Sequence, residues 1–222
     1  MFRIKICGVT SPLDAETACG AGADAVGINF FPGSVRYVPA DRAAPILEAI
    51  RGKAVPVGVF VNERPETIGA VCRSLGIEVV QLSGKETAED AARISFRLLK
   101  AVHWGGAGGL ASFRGYPCEA FLLDAAVPGA YGGTGEPLDW ESLGKECGGP
   151  RIRFGEEESG KRWLLAGGLT PENVERAIRL ARPYGVDVAG GVEEAPGKKD
   201  PGKVRRFVEN ARRGFGSEGT QP

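Results

Sequence analysis

Eight short apolar, β-branched runs punctuate this chain, and most of the stretches between them carry helical spacing. The runs are Ile4 to Cys7, Ala25 to Phe30, Val55 to Phe60, Ile77 to Leu82, Leu98 to Val102, Ala120 to Asp124, Trp163 to Ala166 and Val186 to Ala189. Between them, sets such as Ala43, Ile46, Leu47, Ile50, then Ile68, Val71, Cys72, Leu75, and later Val204, Phe207, Val208, Ala211, each form one apolar stripe. Strict alternation of strand and helix implies parallel strands joined by right-handed crossovers. Eight repeats in about 210 residues favour a single α/β domain, the closed (β/α)8 TIM barrel, over an open doubly wound sheet, the second choice. Ser11-Pro12, Thr170-Pro171 and Asp200-Pro201 each place a capping residue before proline, which predicts three helix starts.

The alternation weakens at Gly105, Gly106, Gly108 and Gly109, which argue against a long helix there, and again over Glu146 to Lys161, a polar connection. The expected domain is 1–213, with a disordered tail over 214–222 that lacks apolar periodicity. Lysine plus arginine equals aspartate plus glutamate at 28 each, so the charge balance selects no nucleic-acid or anionic-membrane partner. No apolar run approaches the roughly 20 residues of a membrane span. The chain starts with a strand rather than a signal-peptide core, and a cytoplasmic protein is expected. The five cysteines (Cys7, Cys19, Cys72, Cys118, Cys147) have no close pairs, which fits neither a disulfide framework nor a zinc site. No cluster of His, Cys and carboxylate has ligand spacing, so no metal is expected.

Barrels of this kind do their chemistry at the C-terminal ends of the strands. Cys7 ends the first strand, Arg36 follows the second, Ser83 the fourth, Asp124 ends the sixth, and the pairs Gly167-Gly168 and Gly190-Gly191 follow the seventh and eighth. Glycine pairs in the last two loops suit phosphate bound by backbone N–H groups, although tight turns alone also call for glycine. Strand parity sends Ile4 and Ile6 to one face, and Lys5 and Cys7 to the other, into the barrel. A lysine inside a barrel needs a counter-charge, and closure makes the first and eighth strands neighbours, which predicts a Lys5 to Asp187 ion pair. Cys7 reads alone as a small buried hydrophobe. Its strand-end position, its shared direction with Lys5 and the carboxylate of Asp124 at the same mouth make it a candidate base, although a thiol of pKa about 8.5 needs a nearby cation or substrate to ionise near neutrality. Asp124 could instead cap a turn. Arg36 could be a solvated charge or a bidentate carboxylate binder, and Tyr131 to Gly135 a closing loop or a plain connection. His103, the one histidine, is assigned no role.

The ordered series Lys5-Ile6-Cys7-Gly8, Ser34-Val35-Arg36-Tyr37-Val38, Val57-Gly58-Val59-Phe60-Val61-Asn62 and Val80-Gln81-Leu82 resembles the phosphoribosylanthranilate isomerase family. The resemblance continues through Leu122-Leu123-Asp124, Gly132-Gly133-Thr134-Gly135, Asp139-Trp140, Ala166-Gly167-Gly168-Leu169, Pro171-Glu172-Asn173-Val174, Val186-Asp187-Val188, Gly191-Val192-Glu193 and Pro196-Gly197-Lys198-Lys199-Asp200, nearly the whole chain. It implies a single (β/α) barrel of tryptophan biosynthesis. The implied reaction is an Amadori rearrangement of N-(5-phosphoribosyl)anthranilate to 1-(2-carboxyphenylamino)-1-deoxyribulose 5-phosphate, without metal or cofactor. It further implies Asp124 as general acid at the ribose ring oxygen, Cys7 as general base at C2, and Arg36 as holder of the anthranilate carboxylate. The expected partner is then a small phosphosugar, with the chain a monomer or homodimer. Two departures stand out: Ser83 where the family commonly has histidine, and Ala189-Gly190 where it commonly has serines, which leaves phosphate to backbone N–H groups. Other readings are another phosphate-binding barrel isomerase or epimerase, and a catalytically idle phosphosugar-binding barrel.

Overall fold

A computed structural model describes residues 1–104, 110–125, 139–152 and 160–216. The glycines at 105–109, the loop Tyr131 to Gly135, the stretch 153–159 and the chain beyond Gly216 lie outside the described residues. Among those described, eight parallel strands run β1 (Ile4–Cys7), β2 (Ala25–Asn29), β3 (Val55–Phe60), β4 (Val79–Leu82), β5 (Arg97–Trp104), β6 (Ala120–Ala125), β7 (Lys161–Leu165) and β8 (Gly185–Val188). Each pairs with the next, β6 pairs directly with β7, and β8 pairs with β1 through Ile4↔Val186, Lys5↔Asp187 and Ile6↔Val188. The sheet is therefore closed, as the eightfold alternation predicts, and the open sheet is ruled out.

Helices α1 (Pro12–Ala21), α2 (Ala44–Ile50), α3 (Pro65–Leu75), α4 (Ala88–Ala92), α5 (Trp140–Cys147), α6 (Val174–Ala181) and α7 (Pro201–Gly216) surround it. A 3-10 turn over Leu110–Phe113 stands in the β5 to β6 connection. The α7 stripe Val204, Phe207, Val208 and Ala211 is wholly buried, as its spacing predicts. The Ser11 hydroxyl accepts from Asp14 N at 3.1 Å, and Asp200 Oδ1 accepts from Lys203 N at 2.8 Å, so two of the three expected helix starts hold. The third does not. Past Thr170-Pro171 the chain makes a turn, and α6 begins only at Val174. Thr170 does cap this turn, its hydroxyl accepting from Glu172 N at 3.2 Å, its N–H donating to Asn173 Oδ1 at 2.8 Å and its carbonyl accepting from Val174 N at 3.1 Å; the Pro171 carbonyl, however, accepts from the Asn210 side chain at 2.6 Å, and the regular ladder starts a turn later. At the other end α7 runs through Gly216 rather than stopping at 213, with Gly214 buried against Ile178.

Apolar side chains divide into two layers. Ile4, Ile6, Val26, Ile28, Val80, Leu82, Phe121, Trp163 and Val186 face the helices, while Phe2, Ala25, Val57, Val79, Leu99, Ala120, Leu122 and Leu164 fill the barrel interior. The interior layer closes the lower barrel and leaves the upper end, where the strands finish, for polar side chains. No helix among the described residues is long and apolar enough to cross a membrane.

Trp163 is completely buried between barrel and helices, and its indole N–H donates to Gly149 O at 2.7 Å. Trp163→Ala should destabilise the chain by about 3–5 kcal/mol, since it deletes the largest fully buried side chain and orphans a carbonyl. Urea unfolding followed by circular dichroism checks this.

Candidate active site

At the C-terminal ends of the strands lies a cavity of about 650 Å³, whose wall includes Cys7, Arg36, Ser83, His103, Asp124 and Asp187. Gly167-Gly168 and Gly190-Gly191 line it as well. All the site residues expected from the sequence therefore meet in one place, with Lys5 directly beneath, fully buried. Strand parity does this work. Lys5 and Cys7 stand two residues apart on β1, and Asp124 stands on β6 in register with His103 on β5.

Lys5 Nζ donates to Asp187 Oδ1 at 2.7 Å across the β1–β8 seam, which is the predicted ion pair. Burial by itself would drive the proton off this ammonium, but Asp187 and then Cys7 more than offset it, and the Lys5 pKa lies above its ordinary value. The thiol lies within the same field. Gly27 of β2 is the register partner of Cys7, and a Cβ there would stand 2.7 Å from Cys7 Sγ and 3.2 Å from Lys5 Cε. Only a residue without a side chain lets the two groups share that space. Burial pushes the Cys7 thiol up; Lys5 pulls it down, Asp187 pushes it up further and Lys199 opposes. The thiol is thus protonated at neutral pH before any ligand arrives. His103 is shifted down by burial and by Lys100, so its imidazole is neutral at pH 7.

Arg36 is not a solvated surface charge. Its Nε and Nη2 donate to Glu193 Oε1 and Oε2, each at 2.7 Å, a bidentate pair. One edge of the guanidinium is thereby occupied and its plane fixed, while the side chain still lines the cavity. Glu193 also accepts from the buried Lys199 at 2.8 Å. Burial alone would raise the Glu193 carboxyl, but its bonds to the two cations hold it below the usual carboxylate range. Sequence reasoning gave neither Glu193 nor Lys199 a role. Glu193 begins a strand, Glu193–Ala195, that pairs antiparallel with Lys198–Lys199, and this hairpin carries the two residues to Arg36.

The glycine turns approach each other closely. A Cβ on Gly191 would fall 1.8 Å from Leu169 O, so the loop after β8 can touch the loop after β7 only through glycine. Gly167 and Gly168 have φ of 78° and 64°, so the tight-turn requirement is real there too. A 3-10 turn over Gly190–Val192 starts at this junction. On the opposite side, Gln81 Nε2 donates to Ser83 Oγ at 3.0 Å. The loop carrying Ser83 is pinned by the buried Lys100, which donates to Gly84 O at 2.6 Å and to Glu86 at 2.7 Å. Among the described residues no group of three or more His, Cys, Asp or Glu side chains is placed to hold a metal ion.

Fold and site define a single-domain (β/α)8-barrel enzyme, with polar and ionisable groups gathered at the strand ends. The chain belongs to the family described as N-(5'phosphoribosyl)anthranilate (PRA) isomerase, whose model matches residues 4–210. It is 44% identical over 212 residues to the N-(5'-phosphoribosyl)anthranilate isomerase of Trichlorobacter lovleyi, covering 96% of this chain and 98% of that one. A crystal structure of phosphoribosyl anthranilate isomerase from Thermotoga maritima superimposes with a TM-score of 0.83 at 38% identity, over 96% of this chain and 99% of the other. Another, solved in complex with reduced 1-(o-carboxyphenylamino)-1-deoxyribulose 5-phosphate, has a TM-score of 0.79 at 35% identity, over 96% and 99% of the two chains.

If Lys5 and Asp187 set the state of the thiol, alkylation of Cys7 by iodoacetamide should rise with pH through 8 to 10 and respond to both with opposite sign. At pH 8, Lys5→Met should slow it and Asp187→Asn should accelerate it. Mass spectrometry of the Cys7 peptide gives the rates; identical rates in all three proteins would detach the ion pair from the thiol.

Proposed function

We propose that this chain converts N-(5-phosphoribosyl)anthranilate to 1-(2-carboxyphenylamino)-1-deoxyribulose 5-phosphate, the isomerisation of tryptophan biosynthesis, with Asp124 as acid and Cys7 as base. The observation that carries this reading is that one cavity gathers a thiol, a carboxyl group, an arginine held in a fixed plane and two converging glycine turns. The substrate carries the matching groups: an aromatic carboxylate, a phosphate and carbons that must lose and gain protons. A related isomerase holding the reduced product analogue supports the same reading.

Asp124 donates its proton to the ribose ring oxygen as the C1–O bond breaks, and the anilino nitrogen supplies the electron pair that makes the C1=N Schiff base. The Cys7 thiolate then takes the C2 proton, and the C2–H electrons move into C1=C2 while the C1=N pair returns to nitrogen. Ketonisation of the resulting enol returns a proton to C1. C2 is oxidised and C1 reduced within one molecule, so the sequence balances internally. Each proton transfer by a positioned group contributes roughly 10²- to 10⁴-fold. Arg36 presents the guanidinium edge that Glu193 leaves available to the anthranilate carboxylate, and backbone N–H groups of Gly168, Gly190 and Gly191 receive the phosphate. The thiolate is the form that takes the proton, and Lys5 beside it is the cation that favours that form against the cost of burial. Lys5 and Asp187 support Cys7 and transfer no proton themselves.

Incubation with freshly prepared phosphoribosylanthranilate, followed by loss of the substrate's anthraniloyl fluorescence, tests the activity. The intact chain should turn the substrate over, and Cys7→Ala and Asp124→Asn should each lose about 10²-fold or more in kcat. No turnover by the intact chain would leave the idle phosphosugar-binding barrel standing. Full activity in either variant would overturn the role given to that residue.

A further inference from the structure

Arg36 presents a puzzle as a ligand-binding arginine, because a carboxylate already sits on it. Glu193 takes its Nε–Nη2 edge with two 2.7 Å bonds, and a neutralised arginine is a poor magnet for a second carboxylate. The structure shows what restores the charge. Lys199, in register with Glu193 across the hairpin, is completely buried at its side chain and donates to the same Glu193 Oε1 at 2.8 Å. Two cations on one carboxylate leave the cluster with a net single positive charge.

Lys199 does a second thing. Its ammonium donates to Ala189 O at 3.1 Å, and Ala189 is the residue that leads into Gly190-Gly191. The backbone N–H of Lys199 is itself anchored on the buried Asp14 at 3.3 Å, and Lys203 donates to Glu193 O at 2.7 Å, so the hairpin has fixed points on α1 and α7. A buried lysine is costly, and an apolar residue of similar length would fill the same space at less cost, so packing alone gives no reason for a charge here.

We propose that Lys199 is a positioning residue of this site: it restores net positive charge to the Arg36–Glu193 pair and ties that pair to the backbone leading into Gly190-Gly191, so that the carboxylate-binding arm and the phosphate-binding turn form one rigid, electropositive unit. The proposal rests on the isomerase reading of the cavity and assigns to one side chain the coupling of its two anion-binding ends. In this family Ala189-Gly190 commonly reads as serines by resemblance, so a chain without those hydroxyls depends more heavily on the placement of its backbone donors.

The test combines kinetics with binding by the whole chain. Lys199→Met should raise KM for phosphoribosylanthranilate about tenfold or more, a larger factor than any fall in kcat from the loss of its weak pull on Cys7. Calorimetric titration should show weaker binding of inorganic phosphate and of anthranilate alike, and Lys199→Arg, which keeps the charge, should recover part of both. Should Lys199→Met fail to fold, Lys199→Gln, which keeps a donor without the charge, is read in the same way. A lower melting temperature with KM and both affinities unchanged would make Lys199 purely structural and overturn the proposal, as would a loss confined to kcat. Absence of turnover by the unaltered chain would sink the isomerase reading instead, and the phosphate titration would still decide what Lys199 does.

Discussion

Everything at the mouth of this barrel depends on one ion pair at its seam. Lys5 and Asp187 lie opposite each other where β8 closes onto β1, 2.7 Å apart and fully withdrawn from water at the lysine. A slip of one residue at this junction would turn Lys5 and Cys7 out among the helices and bring Ile4 and Ile6 inside. Removing one partner would strand the other as an unpaired buried charge, at a cost on the order of 3–5 kcal/mol. The pair thus selects the register, and the register decides that Cys7 faces the cavity and that Ala189, Gly190 and Gly191 emerge beside it.

Above that seam the charges form a graded arrangement. Lys5 is matched one to one by Asp187, whereas Glu193 is shared by Arg36 and Lys199. The cavity floor is close to neutral and one wall is positive, which suits a ligand with anionic groups and an uncharged reacting centre. The thiol lies between these regions and stays protonated in the free protein, because burial outweighs the nearby cations. Segments that follow six different strands line the cavity, which is the usual way this architecture separates a stabilising lower barrel from a variable upper rim.

How far these features could be read in advance depended on the range of the interaction. Parity along four residues was enough to send Ile4 and Ile6 out and Lys5 and Cys7 in, and closure of an eightfold repeat was enough to put Lys5 beside Asp187, 182 residues away. At Thr170-Pro171 the capping contacts are local and legible, but the regular helix waits until Val174, where a residue 39 positions away, Asn210, has already taken the Pro171 carbonyl. Beyond residue 213 the chain lacks apolar periodicity, yet α7 continues through Gly216. Gly214 is the small residue that lets α7 pack on Ile178, a contact that carries no periodic signal. The partnership of Arg36 with Glu193 spans 157 residues and arises from a short hairpin that has no periodic pattern of its own, so nothing in the string of residues announced it. Lys198 and Lys199 are adjacent in sequence and alike in type, and only the fold buries Lys199 while Lys198 stays exposed.

If the thiol of Cys7 removes the proton from C2, breaking that C–H bond must show in the rate of the chemical step. Single-turnover reaction of the intact chain with phosphoribosylanthranilate carrying deuterium at C2, against unlabelled substrate, measures that step without product release. The expected result is a primary isotope effect on a rate that rises with pH as the thiol ionises. A rate insensitive to both the deuterium and the pH, with binding shown to be faster than turnover, would contradict it.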